Sequence, residues 1–261
     1  MSPALLQTNK LRIHVPGRVL VDEFESGVLG GDFLAVLGGN GTGKSLLLRT
    51  LAGLRVPAAG TVRLEGHDVA ALPRRAIAQR LGFLPQDPEA PPQGTLFDAV
   101  MLGRYAHLGF WEASGQQDEQ RALQALADVG LDSLGPRELA TLSGGEQRRA
   151  AIARLLVQAP SVYLLDEPTN HLDPAQQVGI LERLHALTRA GSAVIASLHD
   201  PNLALRFADR LWLLSGTGKV TTLSRADLEA RHLAELYGIE YAETRLGGLR
   251  FMAPALPARS R

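Results

Sequence analysis

The chain alternates between two hydrophobic rhythms. Leu11 to Val15 and Val19 to Phe24 carry apolar residues at short, strand-like spacing, and Pro16-Gly17 between them marks a turn. Asp32 to Leu37 is almost continuously apolar, as a strand buried on both faces must be, and it runs into a glycine-rich segment. From Ser45 to Leu54 the period changes, with Leu47, Leu48 and Leu51 at helical spacing. Thr61 to Leu64 and Leu81 to Leu84 return to the strand rhythm.

From about Pro88 to Thr141 the apolar strand runs vanish. Two helical patterns, Leu96 to Arg104 and Asp118 to Val129, flank a polar loop around Ser114 to Gln117, which reads as a helical insertion. Strand and helix then alternate. Ser161 to Leu165, Ser192 to Leu198 and Arg210 to Ser215 are strands, while Pro174 to Arg189 and Pro201 to Ala208 are helices. Such alternation predicts an α/β fold with a mostly parallel sheet and helices on both faces. The tail from Ser224 carries short helices and a hairpin, Tyr241 to Leu246 and Leu249 to Ala253, around Gly247-Gly248. The expected organisation is one domain over residues 10–240, with its insertion at about 88–141, then a hairpin and tail over 241–261.

Composition narrows the function classes. With 27 basic and 27 acidic residues the net charge is zero, so no nucleic-acid partner is expected. The absence of cysteine excludes thiolate metal sites. MSPALLQTNK lacks the basic start and apolar run of a secretory leader. No window reaches the roughly 18 apolar residues of a membrane span, so a transport role would need a separate membrane partner.

Three segments carry chemistry. Gly38-Gly39-Asn40-Gly41-Thr42-Gly43-Lys44-Ser45 matches the phosphate-loop pattern GxxxxGK[ST] between a predicted strand and a predicted helix. Its glycines let backbone N–H groups point at phosphate oxygens, and the helix N-terminus adds its dipole. Lys44 would reach the β- and γ-phosphates, and the Ser45 hydroxyl would ligate magnesium. Val162 to Leu165 runs into Asp166-Glu167, a strand delivering two carboxylates to the active end of the sheet. Asp166 would hold magnesium through water and Glu167 would polarise the attacking water. The third segment, Leu142-Ser143-Gly144-Gly145-Glu146, fits a capping box at a helix start. That explains Ser143 and Glu146 but not the paired glycines, which expose N–H groups as a second anion site.

With these three segments in one chain, it resembles the ABC-type ATPases, P-loop NTPases with an antiparallel β subdomain and a helical insertion. Leu142 to Gln147 is similar to their signature. Gln86 matches the Q-loop, Asn170-His171-Leu172-Asp173 the D-loop, and His199 the switch histidine. The resemblance spans roughly residues 10–220. It implies ATP and magnesium as ligands, with Gln86 and His199 joining Glu167 in catalysis and Gln86 joining Ser45 and Asp166 at the metal. It also implies a head-to-tail dimer in which Ser143, Gly144 and Gly145 act across the interface, with Glu146 and Asp173 also among the ATP-binding residues.

Asp173-Pro174 and Asp200-Pro201 also read as helix caps with proline at the first helical position. His67, His107 and His185 fit no pattern and are expected at the surface. The aromatic that usually stacks on adenine is missing: Val15 aligns there, with His14 beside it. Gly39 and Leu46 replace a frequent proline and a frequent second hydroxyl without removing a phosphate ligand.

Leu102 to His107, Asp166 to Asp173, Ser197 to Leu203, Tyr237-Gly238 and the terminal hairpin resemble the importer branch for iron-siderophores, haem and cobalamin. That implies a polytopic permease as partner, a periplasmic binding protein acting through it, and a peripheral position on the cytoplasmic face of the inner membrane. The alternatives are the ATPase of another ABC transporter type or a non-transport ABC protein.

Overall fold

The computed structural model describes residues 3–87, 93–109 and 114–255. The expected start of the insertion at Pro88 and the last residues of the tail, 256–261, lie outside them. The chain opens with strands β1 (Leu6–Val15) and β2 (Arg18–Val28), then β3 (Phe33–Leu37) and helix α1 (Lys44–Leu51). Strands β4 (Ala59–Leu64) and β5 (His67–Asp68), helix α2 (Arg74–Ala78) and strand β6 (Leu81–Leu84) follow. Helices α3 (Leu96–Met101), α4 (Gln116–Asp128) and α5 (Gly144–Gln158) pack together before strand β7 (Val162–Leu165). Then come α6 (Pro174–Arg189), β8 (Ala193–Ser197), α7 (Pro201–Phe207), β9 (Arg210–Leu214) and β10 (Val220–Ser224). Helix α8 (Ala230–Tyr237) leads to the hairpin β11 (Tyr241–Leu246) and β12 (Leu249–Pro254).

The central sheet has the order β10-β9-β3-β8-β7-β6, parallel throughout except for the antiparallel edge strand β10. Strands β3, β7 and β8 are buried at every position, so each face carries its own core. Phe33, Ala35 and Leu37 face the helical side with Tyr163, Leu165, Val194 and Ala196. Leu34 and Val36 face the other side with Leu164, Ile195 and Trp212. There they meet the antiparallel sheet β2-β1-β4-β5 and the leucines of α1.

Both early strands are longer than their hydrophobic rhythm suggested. In β1 the buried positions are Leu6, Thr8, Leu11 and Ile13, so the alternation slips after Thr8. The slip coincides with a break in register against β2 and β4 and with a positive φ of 45° at Lys10. A bulge inserts one residue and resets the phase, which a strict period-2 reading cannot follow. At α1 the helix stops at Leu51 rather than Leu54. Gly53 turns left-handed, and the Leu54 N–H returns to the Arg49 carbonyl at 2.9 Å, leaving Leu54 exposed. Of the histidines expected at the surface, His67 is exposed and His107 and His185 are half-buried. His107 bonds the Gln158 carbonyl through Nε2 at 2.8 Å, and His185 packs beside Phe33.

The hairpin is tied back to helix α7. The Asn202 side chain donates to the Met252 carbonyl at 3.1 Å and accepts from the Met252 N–H at 2.8 Å, and Met252 is buried in the helical-side core.

Trp212 is wholly buried between the two sheets, edge-on to Phe24 at 5.0 Å. Truncation there leaves a large void that neighbouring strands cannot close. Trp212→Ala should lower unfolding free energy by about 3–5 kcal/mol, read from the urea midpoint at constant slope.

Candidate functional site

The glycine-rich loop, the acidic pair, Gln86 and His199 all leave the same edge of the central sheet, the carboxyl ends of the parallel strands. This is where ligands bind in open α/β folds. Along that edge stand Gly38 after β3, His199 after β8, Asp166 after β7 and Gln86 after β6.

The glycine-rich loop wraps around its own lysine. Lys44 Nζ donates to the carbonyls of Gly38 at 2.8 Å and Gly39 at 3.1 Å, and the Thr42 hydroxyl donates to Gly39 O at 2.9 Å. A side chain at Gly38 would strike the Leu214 carbonyl, 2.7 Å from where its Cβ would lie. Gly43 sits at φ 105° as the N-cap of α1 and offers no capping side chain. The first turn of α1 therefore keeps its N–H groups for an anion. Lys44 is 5% exposed, and burial lowers its pKa against the opposing pull of Glu167 and Asp166.

The acidic pair is built around Ser197. Its hydroxyl donates to Asp166 Oδ1 at 2.7 Å and accepts from the Glu167 N–H at 2.8 Å, all of it buried. Asp166 Oδ2 is buried without a hydrogen-bond partner among the described residues. A buried carboxylate oxygen left bare is costly unless a cation meets it, so the residues fit a divalent ion beside Ser45. Among the described residues no cluster of three or more acids or histidines forms a metal cage. Magnesium characteristically takes few protein ligands and completes its shell with water and phosphate.

Glu167 adopts a left-handed φ of 52°, a conformation costing about 1–3 kcal/mol that persists only when its surroundings enforce it. The enforcement is visible. His199 Nε2 lies 2.5 Å from Oε1, and the Asn170 amide donates to Oε2. A cleft of about 570 Å³ gathers Lys44, Ser45, Gln86, Glu167, Asn170 and His199. Val15, Arg18 and Leu20 form its outer wall. Val15 rather than His14 lines it, and Arg18 is fixed by donating to the Gly216 carbonyl at 2.9 Å.

The other expected ligands do not line this cleft. Ser143 caps α5: its N–H and hydroxyl donate to Glu146 Oε2 at 2.7 and 2.8 Å, and it accepts from the Glu146 N–H at 3.3 Å. Those bonds hold the Glu146 carboxyl below its usual range, the backbone bond first. Ser143 and Gly144 face solvent. Asp173 is exposed and caps α6, accepting from the Gln176 N–H at 2.9 Å.

Sequence reasoning missed Arg148 and Ser197. Arg148 is 3% exposed, and its guanidinium bonds carbonyls of both the Gln86 and the Glu167 segments. Burial pulls its pKa down to about 10, against the opposing charges of Asp166, Glu167 and Asp87. A basic residue in an Arg-Arg pair gives no sequence signal of burial. Ser197 had a signal, a hydroxyl at the end of an otherwise apolar strand.

The chain is similar to known proteins along most of its length. The family model described as ABC transporter matches residues 22–170. The hemin import ATP-binding protein of Rhodopseudomonas palustris is 39% identical, covering 93% of this chain and 91% of that one. Among solved structures, an inward-facing transporter described as metal-chelate type superposes with TM-score 0.83 at 27% identity, over 97% of this chain and 98% of that one. A dimeric bacterial ABC transporter cassette superposes with TM-score 0.77 at 27% identity, over 84% and 98%.

Removing the Ser197 hydroxyl strips a buried carboxylate of its donor and the Glu167 N–H of its acceptor. Ser197→Ala should cost about 1–3 kcal/mol of stability in denaturant unfolding. It should also raise the magnesium concentration at half-maximal ATPase activity.

Proposed function

This chain belongs to the ABC transporter family as one of its ATP-hydrolysing, ATP-binding subunits, and on that footing we propose that it powers import of a metal chelate, such as haem or an iron-siderophore. The observation that carries the hydrolytic half is the Glu167 carboxylate, held between His199 and Asn170 beside the buried Lys44. The chelate half rests on the hemin importer and the metal-chelate transporter as relatives spanning nearly the whole chain.

In this reading Gly38 to Ser45 cradle the triphosphate, Lys44 and the start of α1 neutralise its charge, and Ser45, Asp166 and Gln86 hold magnesium. Magnesium held by those residues would supply positive charge to offset the charge that develops on the phosphates. Glu167 orients a water and takes up its proton as the water oxygen bonds the γ-phosphorus. The bond from phosphorus to the leaving ADP oxygen breaks, giving ADP and phosphate. His199 fixes the Glu167 carboxylate and contacts the γ-phosphate. Val15 and Arg18 border the base.

The exposed signature turn, Ser143 to Gly145 with its Glu146 cap, has no role in its own cleft. It serves a second copy, whose phosphate loop meets it in a head-to-tail dimer alongside Asp173. Among the described residues no helix is long and apolar enough to cross a membrane. Transport therefore takes place through a partner permease, on whose cytoplasmic side the two copies dock near Gln86, with a periplasmic binding protein delivering the chelate.

Glu167→Gln keeps the shape but loses the base. Hydrolysis should fall about 10²–10⁴-fold while ATP still binds, and light scattering with ATP and magnesium should report a stable dimer. Near wild-type single-turnover hydrolysis would remove Glu167 from this role. For the cargo, the complete transporter in vesicles should take up haem or ferric siderophore with ATP. Uptake of neither, with robust uptake of a chelate-free substrate, would refute the import assignment.

A further inference from the structure

The β6–β7 ladder ends where the catalytic segments begin. Leu84 pairs with Leu165, and the Asp166 N–H gives the last bond to the Leu84 carbonyl at 2.8 Å. Beyond it the two chains separate, one into Pro85-Gln86 and the other into Glu167. At that point Arg148 takes over as the cross-link. Its Nη1 donates to the carbonyls of Pro85 at 2.7 Å and Gln86 at 2.8 Å. Its Nη2 donates to those of Glu167 at 2.6 Å and Asp166.

Four carbonyls from two segments thus converge on one planar group. A guanidinium presents its donors in a rigid fork, so it satisfies all four only when the segments hold one separation. Arg148 belongs to neither segment. It stands on α5, little more than one turn after Ser143, and the Ser143–Glu146 box ties that turn rigidly to the helix. A shift of the signature turn must carry Arg148 with it.

We propose that Arg148 is a positioning residue that locks Gln86 and Glu167 of one ATP site to the signature turn serving the other, so that nucleotide at one site sets the hydrolytic geometry of its neighbour. The proposal rests on the head-to-tail dimer proposed above. Each Arg148 joins the in-line machinery of its own chain to the turn that grips the partner chain's nucleotide. A burial this complete, with backbone carbonyls rather than carboxylates as direct partners, is expensive for a cation. Alignment of the two segments is the return on it.

The test uses Arg148→Met and Arg148→Lys, each in the wild-type and the Glu167→Gln background. Lysine keeps the charge but is a point donor that cannot bridge both carbonyl pairs. Wild type should hydrolyse ATP with a Hill coefficient above one. Both variants should lose about 10–100-fold in kcat, the scale of a small misplacement of catalytic groups. KM for ATP should change less than about threefold and the Hill coefficient should fall to one. Both double variants should still dimerise with ATP. A folded variant with wild-type kcat and cooperativity overturns the proposal, as does a loss expressed only in KM. If Glu167→Gln alone stays monomeric with ATP, the dimer reading fails and takes the proposal with it. If it dimerises while Arg148→Met hydrolyses normally, only the proposal falls. Should the methionine variant fail to fold, Arg148→Lys decides by the same criteria.

Discussion

The parallel pairing of β3, β8 and β7 is the constraint on which the molecule depends. It sets Val36 opposite Ser197 and Leu165 opposite Ala196, so the three strands end within a residue or two of one another. A phosphate loop, a histidine and Glu167 of the acidic pair, far apart in sequence, thereby open onto one cleft. Two cores, one on each face, hold the strands flat against any slip. A one-residue shift would exchange the inward and outward faces of strands that have no exposed face to spare.

Charge gathers in a dry place in and behind the cleft. Lys44, Arg148, Asp166 and Glu167 are all nearly inaccessible, two cations against two carboxylates. None of the four is a simple ion pair. Lys44 and Arg148 donate to backbone carbonyls, and the carboxylates take Ser197, His199 and Asn170. Direct pairing would let the charges cancel in the resting state and leave nothing for a polyanionic substrate. Bonding each to neutral or side partners keeps the fields unspent, at a cost the surrounding cores offset.

Much of this was legible in the sequence because the signals are local. The phosphate loop shows itself in eight consecutive residues, and the acidic pair in a strand and two carboxylates. The central strands and most helices follow from apolar rhythm. What stayed hidden required information the rhythm does not carry. The first half of β1 was lost because the bulge at Lys10 shifts the alternation. Leu54 fell outside its helix because a left-handed Gly53 closes it one turn early. Arg148 was invisible for a different reason. Its partners are main-chain carbonyls, which leave no trace in the amino-acid letters, and only the fold brings them within reach. The same holds for the wall beside Val15: adjacency in sequence offered both His14 and Val15, and the strand's pleat chose between them.

The Asn202 amide treats Met252 as a strand would, giving and taking one bond with its main chain. The first turn of α7, just after His199, is thus stitched to β12 of the hairpin. Mechanically the hairpin is a handle on the switch. Force or tethering applied to the hairpin, by a surface linker or a neighbouring protein, enters the molecule a few residues from the group that steadies Glu167, whereas the same load on the β1 side meets the far sheet first.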